Sequence, residues 1–136
     1  MMHMPGILIA DEDVLTRKRM ADLFIKAGYQ VTVTNSAAGV LYGILKKTAQ
    51  VVLLSTLFDE LLATELIPIL KKCNSNLTII LVASELPLAL IRKARSEGIF
   101  YHALKPDKPS DEDELREAVK CAFEKVTHNT TSEWLQ

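Results

Sequence analysis

Cysteine is scarce in this chain, and an excess of either charge is absent. The only two cysteines, Cys73 and Cys121, are far apart, sit in segments of helical pattern and share no CxxC or metal-ligand spacing, so both read as ordinary reduced thiols. Sixteen Lys and Arg against seventeen Asp and Glu leave a formal net charge of −1, which excludes a general attraction to nucleic acid or to an anionic membrane. No direct nucleic-acid partner is expected. Long hydrophobic runs are missing as well: in MMHMPGILIADED only residues 7–10 are continuously apolar before three acids arrive, too short for a signal peptide or a membrane span. The expected compartment is the cytoplasm, with no membrane contact. His3 in that leader reads as solvated, and the NTT at Asn129 carries no meaning without a secretory signal. There is no internal repeat and no low-complexity tract.

What is present is an alternation of two periods. At 136 residues the chain suggests one domain that buries about two thirds of its unfolded surface without a metal or disulfide. Residues 7–10 are strand-like, and 14–27 are helical with Met20, Leu23, Phe24 and Ala27 on one face and Gly28 as the stop. Strands are expected at 29–34, 51–55, 77–83 and 100–106, and helices at 37–47, 64–73 and 87–97. Pro68 is tolerable only if its helix begins close before it. The last helix opens near Ser110 with Asp113 as a capping-box-like pair and acids in its first turn. Five strand–helix pairs imply an α/β, flavodoxin-like doubly wound parallel sheet in the order 2-1-3-4-5. Residues 1–127 form this single domain, and the polar, aperiodic residues 128–136 read as a tail.

In an open parallel sheet, ligands sit outside the carboxyl ends of the strands. Three such ends carry polar groups: Asp11 and Glu12 after the first strand, Ser55 closing VVLLS, and Lys105 after the fifth. Adjacent acids with a lysine opposite make a cation-friendly pocket of the kind that holds Mg²⁺ through carboxylates and water; an ordinary loop with charged residues on it is the plainer reading.

The segments ILIADED, VVLLS and LKP resemble the signature segments of the receiver domain of two-component response regulators, over residues 6–126. The resemblance implies that Asp11 and Glu12 match an acidic pair that binds Mg²⁺. Lys105 and Pro106 match a Lys-Pro pair, typically joined by a cis bond, whose lysine contacts the phosphoryl group. Ser55 falls where the family has the Asp that accepts a phosphoryl group from a histidine kinase. Val82 falls where the family has a Thr or Ser that senses it. A shift of one residue would place Ala83 there, and a slip of two Ser84. Asp59 sits where a Pro is usual, Ala63 where a Gly is, and His102 where an aromatic residue is frequent.

Phosphoryl transfer needs a carboxylate nucleophile in line with the donor and Mg²⁺ on the transferring oxygens. Ser55 offers a protonated hydroxyl and removes a metal ligand; Val82 cannot make the hydrogen bond on which the family's switch depends. The expectation is a pseudo-receiver: no enzyme, no cofactor, Mg²⁺ at most weakly held by vestigial Asp11 and Glu12, and phosphorylation-independent protein–protein interaction. In receivers the usual contact face is the fourth helix, fifth strand and fifth helix, here carrying Leu88, Arg92, Lys93, Arg95, Phe100, His102 and Ala103, with a protein partner or a second copy as its occupant. Arg95 and Glu97 replace the family's common Leu and Ala. Two alternatives stand beside this one: a working response regulator phosphorylated at another residue such as Asp59, and a flavodoxin-like small-ligand enzyme. The latter is disfavoured because the first strand–helix turn, ADEDVL, lacks phosphate-cradling glycines.

Overall fold

Apolar runs of five residues bounded by turn formers leave the chain little choice but short strands, and the 3.6-residue stripes between them become the helices that cover the sheet. The computed structural model describes residues 5–47, 49–58 and 61–135. Strands β1 (Gly6–Ala10), β2 (Gln30–Thr34), β3 (Val51–Ser55), β4 (Thr78–Val82) and β5 (Tyr101–Ala103) alternate with helices α1 (Val14–Lys26), α2 (Ala37–Leu45), α3 (Ala63–Cys73), α4 (Leu88–Ser96) and α5 (Pro109–Leu135). The strands form one parallel sheet in the order β2-β1-β3-β4-β5, the flavodoxin-like order read from the sequence. A two-residue antiparallel ladder, Leu57–Phe58 against Leu61–Leu62, follows β3; it is too short to leave a periodic signal.

Every residue of β1, β3 and β4 is buried, because helices cover both faces. The pleat divides the apolar side chains into two cores. Leu8, Val52, Leu54, Ile79 and Leu81 pack with residues of α2, α3 and α4. Ile7, Ile9, Val51, Leu53, Ile80 and Val82 pack with Met20 and Phe24 of α1 and Leu115, Val119 and Ala122 of α5.

Helix ends follow local chemistry. The Asp13 carboxylate caps α1 by accepting from the Thr16 N–H at 3.3 Å, and Ser36 Oγ caps α2 by accepting from Gly39 N–H at 3.0 Å. Gly28 and Gly98 take φ values of 94° and 104° just past α1 and α4, a region where side-chain-bearing residues are strained. At α5 the cap differs from the Ser110–Asp113 reading. Pro109 is the first helical residue, and the Asp111 carboxylate accepts from Lys108 N–H at 3.1 Å. Proline at the first position gives up only an N–H that would be unpaired anyway.

Two further expectations are corrected. Pro68 lies well inside α3, which begins at Ala63, so one helical hydrogen bond is forgone; burial of Leu66, Ile67 and Leu70 offsets that loss. Residues 128–135, read as a tail, continue the backbone of α5 to Leu135. No Gly or Pro occurs between Pro109 and Gln136, so the sequence carries no stop signal, and a polar segment without apolar periodicity stays helical.

Candidate functional site

The carboxyl ends of β1, β3 and β5 meet at one end of the sheet, as the parallel topology requires. Asp11 is the first residue beyond β1 and is only 2% exposed. Its Oδ1 accepts from Asp13 N–H at 2.9 Å, and its backbone carbonyl accepts from Arg17 Nη1 at 2.7 Å. Its Oδ2 is buried and has no hydrogen-bond partner among the described residues. Lys105 Nζ stands 4.0 Å from that oxygen, an ion pair too long to be a hydrogen bond. Burial pushes the Asp11 carboxyl above the ordinary carboxylate range, against the opposing pull of the Asp13 amide and the Lys105 charge. Asp13, on the exposed side, is held below that range chiefly by the hydrogen bond from the Thr16 hydroxyl.

Ser55 closes β3, 4% exposed, and pairs in register with Val82, the last residue of β4. Val82 pairs in turn with Ala103 of β5 and is fully buried. Glu12 is exposed and Pro106 is buried. No peptide bond is cis among the described residues, so Lys105–Pro106 is trans, contrary to the cis bond implied by resemblance; the trans isomer is the intrinsically favoured one before proline, by about 0.5–1 kcal/mol. The sequence-derived group Asp11, Glu12, Ser55, Val82, Lys105 and Pro106 thus gathers at one end of the sheet, with Asp11 and Lys105 in direct electrostatic contact. Asp59 and His3 lie outside the described residues. No cluster of three or more His, Cys, Asp or Glu side chains capable of holding a metal occurs among the described residues, and no described helix is long and apolar enough to cross a membrane.

The second candidate surface lies along the β5 edge. Leu88, Arg92, Lys93 and Arg95 of α4 are exposed, and Phe100 and His102 are half-buried. Lys125 Nζ sits 5.4 Å from the centroid of the Phe100 ring, in cation–π geometry. His102 Nε2 is buried without a hydrogen-bond partner among the described residues. Burial holds this imidazole below its usual range, the Arg95 charge adds to the effect, and Glu114 opposes it. Sequence reasoning missed the neighbouring contact, in which Tyr101 Oη donates to Glu114 Oε1 at 3.0 Å. It also missed a groove of about 360 Å³ walled by Phe100, Tyr101, Glu114, Glu117, Ala118 and Cys121. The signal was available in the alternation of β5, which points Tyr101 and Ala103 toward α5 and His102 toward α4.

Comparison with known proteins gives this arrangement a context. The model of the response regulator receiver domain matches residues 7–120. Sporulation initiation phosphotransferase F of Bacillus subtilis (strain 168) is 28% identical over 114 residues, covering 84% of this chain and 90% of that protein. The DNA-binding transcriptional regulator NtrC of Rhizobium meliloti (strain 1021) is 26% identical over 100 residues. That match takes in 74% of this chain but only 21% of the regulator. Among solved structures, the signal receiver domain of an HD domain-containing protein from Pseudomonas fluorescens Pf-5 superposes with a TM-score of 0.86 at 22% identity, covering 96% and 95% of the two chains. The chemotaxis protein CheY4 of Vibrio cholerae superposes with a TM-score of 0.78 at 16% identity, covering 88% and 99%.

Proposed function

The chain belongs to the response regulator receiver family, and from that premise we propose that it is a pseudo-receiver, a cytoplasmic two-component signalling module that acts by binding a protein partner without being phosphorylated. The observation that carries this reading is Ser55: it closes β3 in the buried end of the sheet, where the family's carboxylate nucleophile belongs. A hydroxyl there is protonated at neutral pH and cannot attack a phosphoryl donor without a base to activate it. Asp11, the buried acid at the end of β1, faces the Lys105 ammonium at 4.0 Å.

The same donor set supports at most weak Mg²⁺ binding. A divalent cation of that kind prefers octahedral oxygen ligation with carboxylates to balance its charge, whereas here the buried Asp11 faces a lysine and Ser55 contributes no charge. Val82, apolar and beside Ser55 in the sheet, offers no hydroxyl to respond to a phosphate. The output surface is the α4–β5–α5 face, where the exposed Arg92, Lys93 and Arg95 would favour an acidic partner and Leu88, Phe100 and His102 supply apolar area. No catalysis and no direct nucleic-acid contact are part of this reading.

Incubation with acetyl phosphate and Mg²⁺ followed by intact-mass measurement tests it. The expected spectrum shows unmodified protein only. A stoichiometric, hydroxylamine-labile phosphoryl adduct would overturn the proposal and point to another carboxylate, such as Asp59, as acceptor.

A further inference from the structure

No charged residue occurs between Lys26 and Lys46, although 24% of the chain is charged. That uncharged segment builds β2 and α2, and β2 is an edge strand, paired among the described residues with β1 alone. Exposed edges are ordinarily blunted by charge, proline, a bulge or short length, since their unpaired backbone groups invite another strand. The other edge of this sheet follows that rule: β5 has three residues and is flanked by Arg95, Glu114 and Lys125. The β2 strand itself has none of these guards, and the charge in the groove beside it is Lys46, just past α2, whose ammonium lies 5.3 Å from the centroid of the Tyr42 ring. The strand is five residues of Gln, Val and Thr, with Val33 46% exposed and Tyr42 of α2 63% exposed. Beside it runs an open groove of about 470 Å³, walled by Gln30, Thr32, Thr34, Gly39, Tyr42 and Lys46.

The backbone shows which groups face outward. Gln30 N–H donates to Pro5 at 2.9 Å and the Thr34 carbonyl accepts from Asp11 N–H at 3.3 Å, so residues 30, 32 and 34 turn their amides and carbonyls toward β1. Alternation then turns those of Val31 and Val33 toward solvent. The strand Gln30–Thr34, QVTVT, is also close to a palindrome about Thr32.

From these observations we infer that β2 is a self-association edge: two copies of this chain pair antiparallel through β2 about a two-fold axis at Thr32, joining their sheets into one. In that register Val31 of each copy opposes Val33 of the other, and each such pair exchanges two N–H···O bonds using the outward groups. Thr32 meets Thr32 of the second copy at the closer, non-hydrogen-bonded position. Gln30 opposes Thr34. Every cross-strand pair is therefore Val with Val, Thr with Thr or Gln with Thr, combinations that suit sheet pairing, and no like charges are brought together at the axis. A second copy is the occupant that satisfies this edge because an isologous contact requires a surface complementary to itself, which an uncharged palindromic strand is. The α4–β5–α5 face, at the opposite edge, stays open on both copies.

Sedimentation equilibrium of the intact chain tests the inference against two variants. The wild type is expected to be a dimer. T32K places two ammonium groups opposite one another at the axis and should weaken self-association at least about 100-fold, while R92E/R95E should leave the mass unchanged. As a check that does not depend on how T32K folds, T32C in a C73S/C121S background should form an interchain disulfide on mild oxidation, because non-hydrogen-bonded antiparallel pairs bring the β-carbons within bonding range. A monomeric wild type, an assembly larger than a dimer, a dimer that folded T32K leaves intact, or failure of T32C to cross-link would each overturn the proposal.

Discussion

At the scale of single residues, the burial of Asp11 is the most consequential fact. A carboxylate with one oxygen hydrogen-bonded and the other, without a hydrogen-bond partner among the described residues, facing a lysine at 4.0 Å is poorly compensated for its loss of water. Its folded-state pKa is raised above its unfolded value of 3.8. It therefore stabilises the fold fully below that unfolded value, and this contribution is lost as pH rises through the folded pKa. D11N should accordingly raise stability at neutral pH by about 1 kcal/mol, and urea titrations should show the gain shrinking as pH falls toward 4, about the unfolded carboxylate value. Ser55 gives a second residue-scale expectation. S55D should recover Mg²⁺ affinity, measurable by calorimetric titration, because ligation needs mainly the added charge. Acetyl phosphate should then change the mass of S55D but leave its α4–β5–α5 surface unchanged by amide exchange until Val82 is also made Thr, since the conformational response needs the missing hydroxyl.

At the scale of elements, the docking of α2 on the sheet depends on a glycine. A β-carbon at Gly39 would stand 2.0 Å from Thr34 Oγ1, and that hydroxyl is not free to retreat, since it accepts from Ser36 N–H at 3.2 Å. Gly39 N–H is also the group that Ser36 Oγ caps. Helix propensity alone would make Gly→Ala favourable by up to about 1 kcal/mol. Steric conflict with backbone-tied atoms is the larger effect, and overpacking of this kind costs about 1–3 kcal/mol. G39A should therefore lower the urea midpoint. An increase would mean that α2 shifts outward freely and that the groove beside β2 is softer than its contacts imply.

At the scale of the whole molecule, the two sheet edges differ in chemistry, and this difference organises the surface. The β5 edge carries Arg95, Glu114, Lys125 and an imidazole whose pKa burial lowers; the β2 strand itself carries no charge, with Lys46 past the end of α2 lining the groove beside it. Reversing charge with R92E/R95E should weaken capture of a protein partner while changing folding stability by less than about 0.5 kcal/mol, because both side chains are exposed. K105A should leave partner capture unchanged, its ion pair being confined to the Asp11 crevice. Pull-down from extract with quantitative mass spectrometry, alongside urea titration, checks both. If K105A abolished capture and the arginine pair proved indifferent, the crevice rather than the α4–β5–α5 face would be the working surface.

The sequence by itself determined the order and type of the main-sheet strands and the helices, because burial on both faces forces continuous apolar strands such as VVLLS, and amphipathic helices must repeat every 3.6 residues to cover them. Its strand ends also named Asp11, Glu12, Ser55 and Lys105 in advance, since topology places such residues together once the strand order is known. Helix boundaries were less legible: a cap is decided by one hydrogen bond, so Pro109 and Asp111 displaced Ser110 and Asp113, and a polar segment without a breaker remained helical to Leu135. Only the tertiary structure decided that Asp11 loses its water and faces Lys105 and that Tyr101 reaches Glu114. These depend on distances between residues remote in sequence, and pattern along a chain carries period and polarity but not the distance between two side chains that folding brings together.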